Sequence, residues 1–558
     1  EPTPVSSLAP SPAPSAPTAT TPQVRIIQPM NLRSGPGTHY PIVATAQPGE
    51  TFPIMGVNAK GDWWQIERAG ELLWVYAPFV EAENATGVPV VEAPPTPTPA
   101  PPTPTPAGNG GLAPAPAPVG TVVVYETTVR LPTYPFARYQ SDARNEVYNW
   151  PYKRFDRERF LQEKPQPTEQ EYRLLVLENA YLKVTILPEL GGRIWQAIHK
   201  PSGANMFYQN PVVKPSPWGP AEQLGWLALG GMEWNLPVVE HGYDWGVPWG
   251  RIPLQHSKEL ASVTVFTPQD GRFLNASITV SLYAGAGSFI VEPTITNVSD
   301  RPLDFAYWHT AMLAPGPGNK PSGATQFILP GSQMTVHSTG DPRLPGPGEP
   351  FSWPVHQGVD FSLLGNWDQW LGFFERPAAH GPFVAVYDHD ADAGVVRVYP
   401  ADVARGSKVF GLGWRNAIGS DNFTDDGSAY VELHGGLAPT FDDLYHLPPG
   451  GAVTWREVWY PVQAIGGVTY ADEVAALHVQ PAEGGLRIGL YPTRPMNGTL
   501  ILAADVQEVD RVPVKASPAQ PFNHLAPIAE VQGPVDIRLT DRAGRTLFSY
   551  IYSGPLSR

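Results

Sequence analysis

The stretch VLENAYLKVTILPEL, residues 176–190, decides how the rest of the chain is read. Its apolar residues are β-branched or alternate with polar ones, and a Pro-Glu-Leu-Gly-Gly run ends it, which is strand patterning. The same pattern returns at FLNASITVSLYAGAG (273–287), SFIVEPTITNVSD (288–300), GPFVAVYDHD (381–390), GVVRVYPADV (394–403) and AVTWREVWYPV (452–462). Stretches of helical period are scarce. Some 345 residues of such strands exceed one small sandwich and predict a large two-sheet β-sandwich over 120–465, with functional loops on one face. The polar residues 141–163 are expected to hold a short helix or an arm. The fold class is therefore all-β.

The flanks differ in composition. Residues 1–22 are rich in Pro, Ser, Ala and Thr, and the linker 86–119 contains EAPPTPTPAPPTPTPAGNGGLAPAPAP. Neither buries enough apolar surface to offset ordering entropy, so both read as extended tethers. Between them, residues 23–85 alternate short strands with Gly/Pro turns, as a small β-barrel does. From 466 to 558 a further strand series, including LRIGLYPTRP and GPVDIRLTDRAG, has the size of an immunoglobulin-like sandwich and no cluster of chemistry-bearing residues. Of 558 residues, 37 are Lys or Arg and 52 are Asp or Glu, a net charge of −15 that argues against nucleic-acid phosphates and anionic lipid as partners. There is no cysteine, which excludes disulfides and thiolate metal sites. No apolar run reaches about 18 residues, so no membrane span is expected. The sequence starts at Glu1 without Met, in a Pro/Ser/Ala/Thr-rich segment, and the expectation is an exported form, secreted or at the cell surface.

No phosphate loop, zincin motif or nucleophile elbow is present. The run DHDADAG, Asp388–Gly394, alternates hard carboxylate oxygens at Asp388, Asp390 and Asp392 as a calcium loop does. No Glu closes it at the twelfth position and it falls between two strands, so a turn is the preferred reading and no cofactor is expected. Four blocks remain. In LPELGGRI (187–194), two glycines allow close approach and Arg193 can reach a sugar hydroxyl or serve a structural salt bridge. WLALGGMEWNLPVVEHGYDWGVPW (226–249) gathers Trp226, Glu233, Trp234, Asn235, His241, Asp244, Trp245 and Trp249 in a Gly/Pro-broken segment. Aromatic faces there can stack on sugar rings while carboxylates and amides bond to hydroxyls, or the segment is a packed loop. FAYWHT (305–310) carries Trp308 and His309. In YVELHGG (430–436), Glu432 and His434 at i and i+2 of a strand share one face. A lone buried Glu is expensive, so Glu432 is functional or partnered.

Two family resemblances follow from these residues. MNLRSGPG (30–37), Pro48-Gly49, Gly61-Asp62-Trp63-Trp64 and Trp74-Val75 make residues 23–85 resemble a bacterial SH3-like (SH3b) domain, which implies contact with cell wall, glycan or peptide, or a spacer. LPELGGRIWQAIHKPSGANMFY (187–208), GGMEWNLP (230–237), ITNVSDRPLDFAYWHT (295–310), YDHDADAGVVRVYP (387–400) and the closing 430–462 block resemble the galactose mutarotase-like (aldose 1-epimerase) superfamily, more closely a DUF5107 domain. That resemblance implies a β-supersandwich with a sugar cleft, a late Glu as base and a His as acid. Glu432 matches the Glu by order, and His309 sits near the His. The usual first histidine motif is not intact: Glu233 stands near its place, with His241 a further candidate. The leading expectation is a carbohydrate-active protein, a glycoside hydrolase using Glu233 and Glu432 as paired carboxyls. The alternatives are an aldose 1-epimerase and a non-catalytic glycan-binding or structural surface protein.

Overall fold

The computed structural model describes residues 21–27, 30–37, 40, 42–94, 120–316, 318–376, 381–504, 507–528 and 533–554. Tether residues 1–20 and linker residues 95–119 lie outside the described residues. The chain divides into two units, 1–113 and 114–558.

In the first unit, seven antiparallel strands between Gln23 and Glu83 form one sheet. It closes around Val24, Ile26, Leu32, Ile66, Leu73 and Val75, with Trp63 and Trp74 buried. An asparagine side chain sets the turn before the tryptophan strand: Asn58 Oδ1 accepts from the N–H of Asp62 and Trp63 at 3.0 and 3.1 Å. This is the small SH3-like barrel that the alternating strands and Gly/Pro turns predict.

The second unit is built on two large antiparallel sheets. The first has twelve strands. Eleven form its path: β1 (Val122–Thr133), β2 (Thr168–Asn179), β3 (Leu182–Leu187), β4 (Arg193–His199), β5 (Gly231–Asn235), β6 (Trp308–Leu313), β7 (Gln333–Thr339), β8 (Pro350–Ser352), β9 (Leu371–Phe374), β10 (Gly406–Gly411) and β11 (Val431–Gly436). Their order across the sheet is β8-β7-β9-β10-β11-β6-β5-β4-β3-β2-β1. The second sheet has nine strands, including Leu274–Tyr283, Phe289–Asn297, Ala393–Val398 and Glu457–Gln463. The long strand Leu274–Tyr283 shows why the alternating pattern predicts strands: Leu274, Ala276, Ile278, Val280 and Leu282 all point into the core, and the residues between them are largely half-buried. Those side chains meet Leu175, Leu177, Ile186, Met232, Ala311, Val409 and Leu433 of the first sheet. Residues 140–155 form a hairpin, followed by the helix Arg157–Glu163, whose N-terminus is capped by Asp156 accepting from the Arg159 N–H.

Beyond Tyr470 two four-stranded sheets pack face to face around Leu477, Ile488, Leu490, Leu500, Leu502, Ile537 and Leu539. This is a β-sandwich of the expected immunoglobulin-like kind.

Candidate functional site

The central strands of the first sheet are buried on both faces: every residue of β5, β6 and β11 is buried. One face is the core between the sheets. The other is covered by loops, with a second apolar cluster that includes Trp226, Trp245, Met312, Phe423 and Tyr430. Polar side chains gather on this covered face in register. Glu233 of β5 lies opposite Thr310 of β6, Thr310 opposite His434 of β11, His434 opposite Lys408 of β10, and Lys408 opposite Phe374 of β9. One row over, Glu432 lies between Met312 and Phe410. Two glycines permit the close approach. A Cβ at Gly231, which has φ +75°, would meet the Ile194 carbonyl at 2.1 Å. A Cβ at Gly435 would meet Arg397 Cζ and His309 Cε1 at 2.3 Å.

Glu432 is buried and accepts from His434 Nε2 at 2.8 Å. A hydrogen-bond chain fixes the imidazole: Asn235 Nδ2 donates to Thr310 Oγ1 at 2.8 Å, and Thr310 Oγ1 donates to His434 Nδ1 at 2.9 Å. His434 Nδ1 is then the acceptor and Nε2 carries the proton that faces the carboxylate. Burial pushes the His434 pKa well below the ordinary value, and the charges of Lys408 and His241 push it further, so the ring is neutral. Burial raises the Glu432 pKa, against the opposing charges of His241 and Lys408. Glu240 and His337, joined at 2.8 Å, stand at the outer edge with side chains 44% and 24% exposed.

Glu233 is held differently. It accepts from Trp226 Nε1 at 2.9 and 3.0 Å, from His241 Nδ1 at 2.8 Å and from Arg193 Nη2 at 3.3 Å. The His241 ring stacks on Trp226 with centroids 3.5 Å apart. With Nδ1–H given to Glu233, His241 Nε2 is the nitrogen left to exchange a proton. His241 rides on a tight loop in which Glu240, His241 and Gly242 all have φ between 51° and 68°. Consecutive non-glycine residues in the left-handed region store strain, a feature that clusters at working sites. Tyr430 lies near both carboxylates: burial and the charges of Glu432 and Glu233 raise its pKa.

The other residues singled out from the sequence fall elsewhere. His309 points to the opposite face of β6, into the core, 3.6 Å from Glu457 Oε2, so Thr310 takes the position on the covered face. Arg193 spends its guanidinium on Leu190, Gly230 and Trp245 carbonyls besides Glu233. Trp234 faces the inter-sheet core and donates to the Gly192 carbonyl at 2.9 Å. Asp244 is buried under Arg272, Trp150 and Trp249 at 2.6, 3.1 and 3.2 Å, a structural cluster. Trp226, Trp245 and Trp249 are buried, and Trp308 packs on Phe374 and Phe441. In the DHDADAG turn, Asp388 accepts from Ser322 N, Thr325 Oγ1 and Ala391 N, and Asp392 from Gly466 N and Tyr387. Thr310 and Glu240, inside the 305–310 and 226–249 blocks, belong to the site, as do Lys408, His337, Phe374 and Phe441, which carry no sequence motif. A cleft of about 620 Å³ lined by Tyr399, Trp455, Tyr470 and Glu473 lies between the second sheet and the C-terminal sandwich and shares no residue with it.

Comparison with known proteins adds the following. A family model described as a domain of unknown function, DUF5107, matches residues 144–462. A bacterial SH3 domain model matches 29–81, and a model of the second domain of YphG-like proteins matches 470–550. YrvJ of Bacillus subtilis, named as an N-acetylmuramoyl-L-alanine amidase, is 43% identical over 56 residues, and the chain spans only 10% of that relative's length. Among solved structures, a TPR-domain containing protein from Parabacteroides distasonis is similar at TM-score 0.53 and 20% identity, over 65% of this chain and 59% of that one. A galactose mutarotase-like protein from Clostridium acetobutylicum aligns at TM-score 0.37 and 10% identity, over 52% of this chain and 96% of its own.

Proposed function

The chain belongs to the DUF5107 family, and from that premise we propose that it is a carbohydrate-active protein performing proton transfer at the anomeric centre of a sugar, with Glu432 as base and His241 as acid. The observation that carries this reading is the division of labour between two carboxylates on one face. Glu432 has a raised pKa and, among the described residues, one side-chain hydrogen-bond partner, His434. Glu233 is locked by Trp226, Arg193 and His241, and serves to orient the His241 ring. In aldose epimerisation Glu432 removes the proton from the anomeric hydroxyl. The ring C–O bond breaks as the carbonyl forms, and His241 Nε2 gives its proton to the ring oxygen. Rotation about C1–C2 and the reverse transfers close the other anomer. No bond to the protein is made.

A paired-carboxyl hydrolase needs, besides its acid, a second carboxylate free to attack the sugar or to activate a water. Glu233 already accepts from Trp226, His241 and Arg193, so its oxygens are committed to the protein. The reading therefore moves from hydrolysis to epimerase-type chemistry. The Pro/Thr-rich segments around an SH3-like module support placing this activity outside the cytoplasm.

The test is anomer exchange by NMR on freshly dissolved aldoses. The wild type is expected to accelerate exchange of at least one sugar over buffer, and Glu432→Gln to lose about 10²–10⁴ of that rate. No acceleration of any aldose overturns the reading. Release of reducing ends from a glycan panel, abolished by both Glu432→Gln and Glu233→Gln, would restore the two-carboxyl hydrolase.

A further inference from the structure

One buried charge in the site has no role in that proton transfer. Lys408 of β10 is 3% exposed. Phe441 and Phe410 present their rings to its ammonium at 4.7 and 5.5 Å, and Phe374, Phe441 and His337 pack on one another around it. Among the described residues no carboxylate pairs with it within 4.0 Å. Its near polar atom is His434 Nε2 at 3.4 Å, and that nitrogen already spends its proton on Glu432. A nitrogen that carries a proton cannot accept one, so with the Nε2 proton on Glu432 the ammonium's donors meet no side-chain acceptor among the described residues. A buried donor in that condition is costly unless an incoming oxygen completes it.

We propose that Lys408 holds the oxygen on the sugar carbon next to the anomeric carbon, and so selects aldoses that carry a hydroxyl at position 2. This rests on Glu432 being the group that meets the anomeric hydroxyl. Lys408 Nζ and Glu432 Oε2 both approach His434 Nε2, at 3.4 and 2.8 Å, so no more than about 6 Å separates them. With the anomeric hydroxyl at Glu432, the sugar oxygens within that reach are the ring oxygen and the 2-hydroxyl. The ring oxygen is the one that faces His241, which leaves the 2-hydroxyl for Lys408. An acidic sugar is the poorer fit: three carboxylates, Glu233, Glu240 and Glu432, already outnumber the two cations, Arg193 and Lys408, so the cluster repels further negative charge.

The experiment compares glucose with 2-deoxyglucose and galactose with 2-deoxygalactose on the full chain. Wild type and Lys408→Met are measured by calorimetric binding and by anomer exchange. A site built around a substrate hydroxyl rejects the analogue lacking it, so the wild type is expected to prefer the parent sugars by at least about a hundredfold. Lys408→Met is expected to bring that ratio within about threefold, with thermal stability kept. Equal treatment of parent and 2-deoxy sugars by the wild type overturns the assignment, as does a Lys408→Met variant that weakens both alike. Preference in binding without exchange refutes the proton-transfer reading and keeps Lys408. Exchange without preference refutes Lys408 alone. Neither binding nor exchange refutes both.

Discussion

Replacing Glu457 by Gln should destabilise the two-sheet domain and slow its site, because that carboxylate holds the polar network directly behind β11. Arg397 is fully buried and donates through Nε and Nη2 to Glu457 at 2.8 and 2.9 Å. Trp455 and Trp459 donate to the same two oxygens at 2.9 and 3.1 Å. An amide turns one of those acceptors into a donor facing donors and leaves the guanidinium uncompensated. Breaking a buried pair by removing one partner costs about 3–5 kcal/mol. At roughly 2.1 cal/mol/K per residue over some 345 residues, unfolding entropy is about 0.7 kcal/mol/K, so the transition should fall by about 4–7 °C. Differential scanning calorimetry of the full chain reads this directly. Replacing both partners, Arg397→Met with Glu457→Leu, should recover most of the loss. The pH dependence gives an independent check. Burial alone would raise the Glu457 pKa, but Arg397 and His309 hold it down at about 2, against an ordinary 4.5. Its stabilisation, about 3 kcal/mol, is therefore complete above pH 4.5 and is lost as pH falls toward 2. Burial depresses His309 from 6.5 to about 4, so the folded state prefers the neutral ring, and that contribution is lost between pH 6.5 and 4. Glu457→Gln should flatten the lower window and, because the Glu457 charge partly supports the His309 imidazolium, extend the upper one to lower pH. A shift below about 1 °C, with an unchanged acid profile, would refute the reasoning.

Thr310→Val keeps the shape but cuts the Asn235–Thr310–His434 chain. It should cost about 1–2 kcal/mol in thermal denaturation and alter the acid limb of activity, whereas full stability and an unaltered limb would contradict the relay. Gly435→Ala places a Cβ 2.3 Å from Arg397 and His309. It should cost roughly 1–3 kcal/mol and displace Glu432, and a variant of wild-type stability and rate would show the contact to be soft. Because burial raises the Glu432 pKa and its carboxylate is the working form, exchange activity should fall as pH drops through a value above the ordinary 4.5. A limb centred at or below 4.5 in a pH–rate profile would count against Glu432 as the base.

The fold was legible because alternation is visible wherever one face of a strand meets the core, as in Leu274–Tyr283. Spacing also put Glu432 with His434 on a shared face. Parity fails where both faces are buried. In β6 every residue is buried, so nothing in FAYWHT says that Thr310 rather than His309 meets His434. Gly/Pro breakers in 226–249 suggest exposed tryptophans. The loop instead packs them down, with the N–H groups of Trp226, Trp234 and Trp249 bonded to Glu233, Gly192 and Asp244. Lys408 was invisible because a lone lysine in GSKVFG reads as solvated. Only the pairing of β10 with β11 brings it beside Glu432.

The most direct measurement is a crystal structure of the Glu432→Gln variant with an aldose bound. The sugar is expected on the covered face of the first sheet. Its anomeric oxygen should lie about 3 Å from the side chain at position 432, and the neighbouring oxygen at Lys408. A sugar seated instead in the cleft lined by Trp455 and Tyr470, or none at saturating concentration, would contradict it.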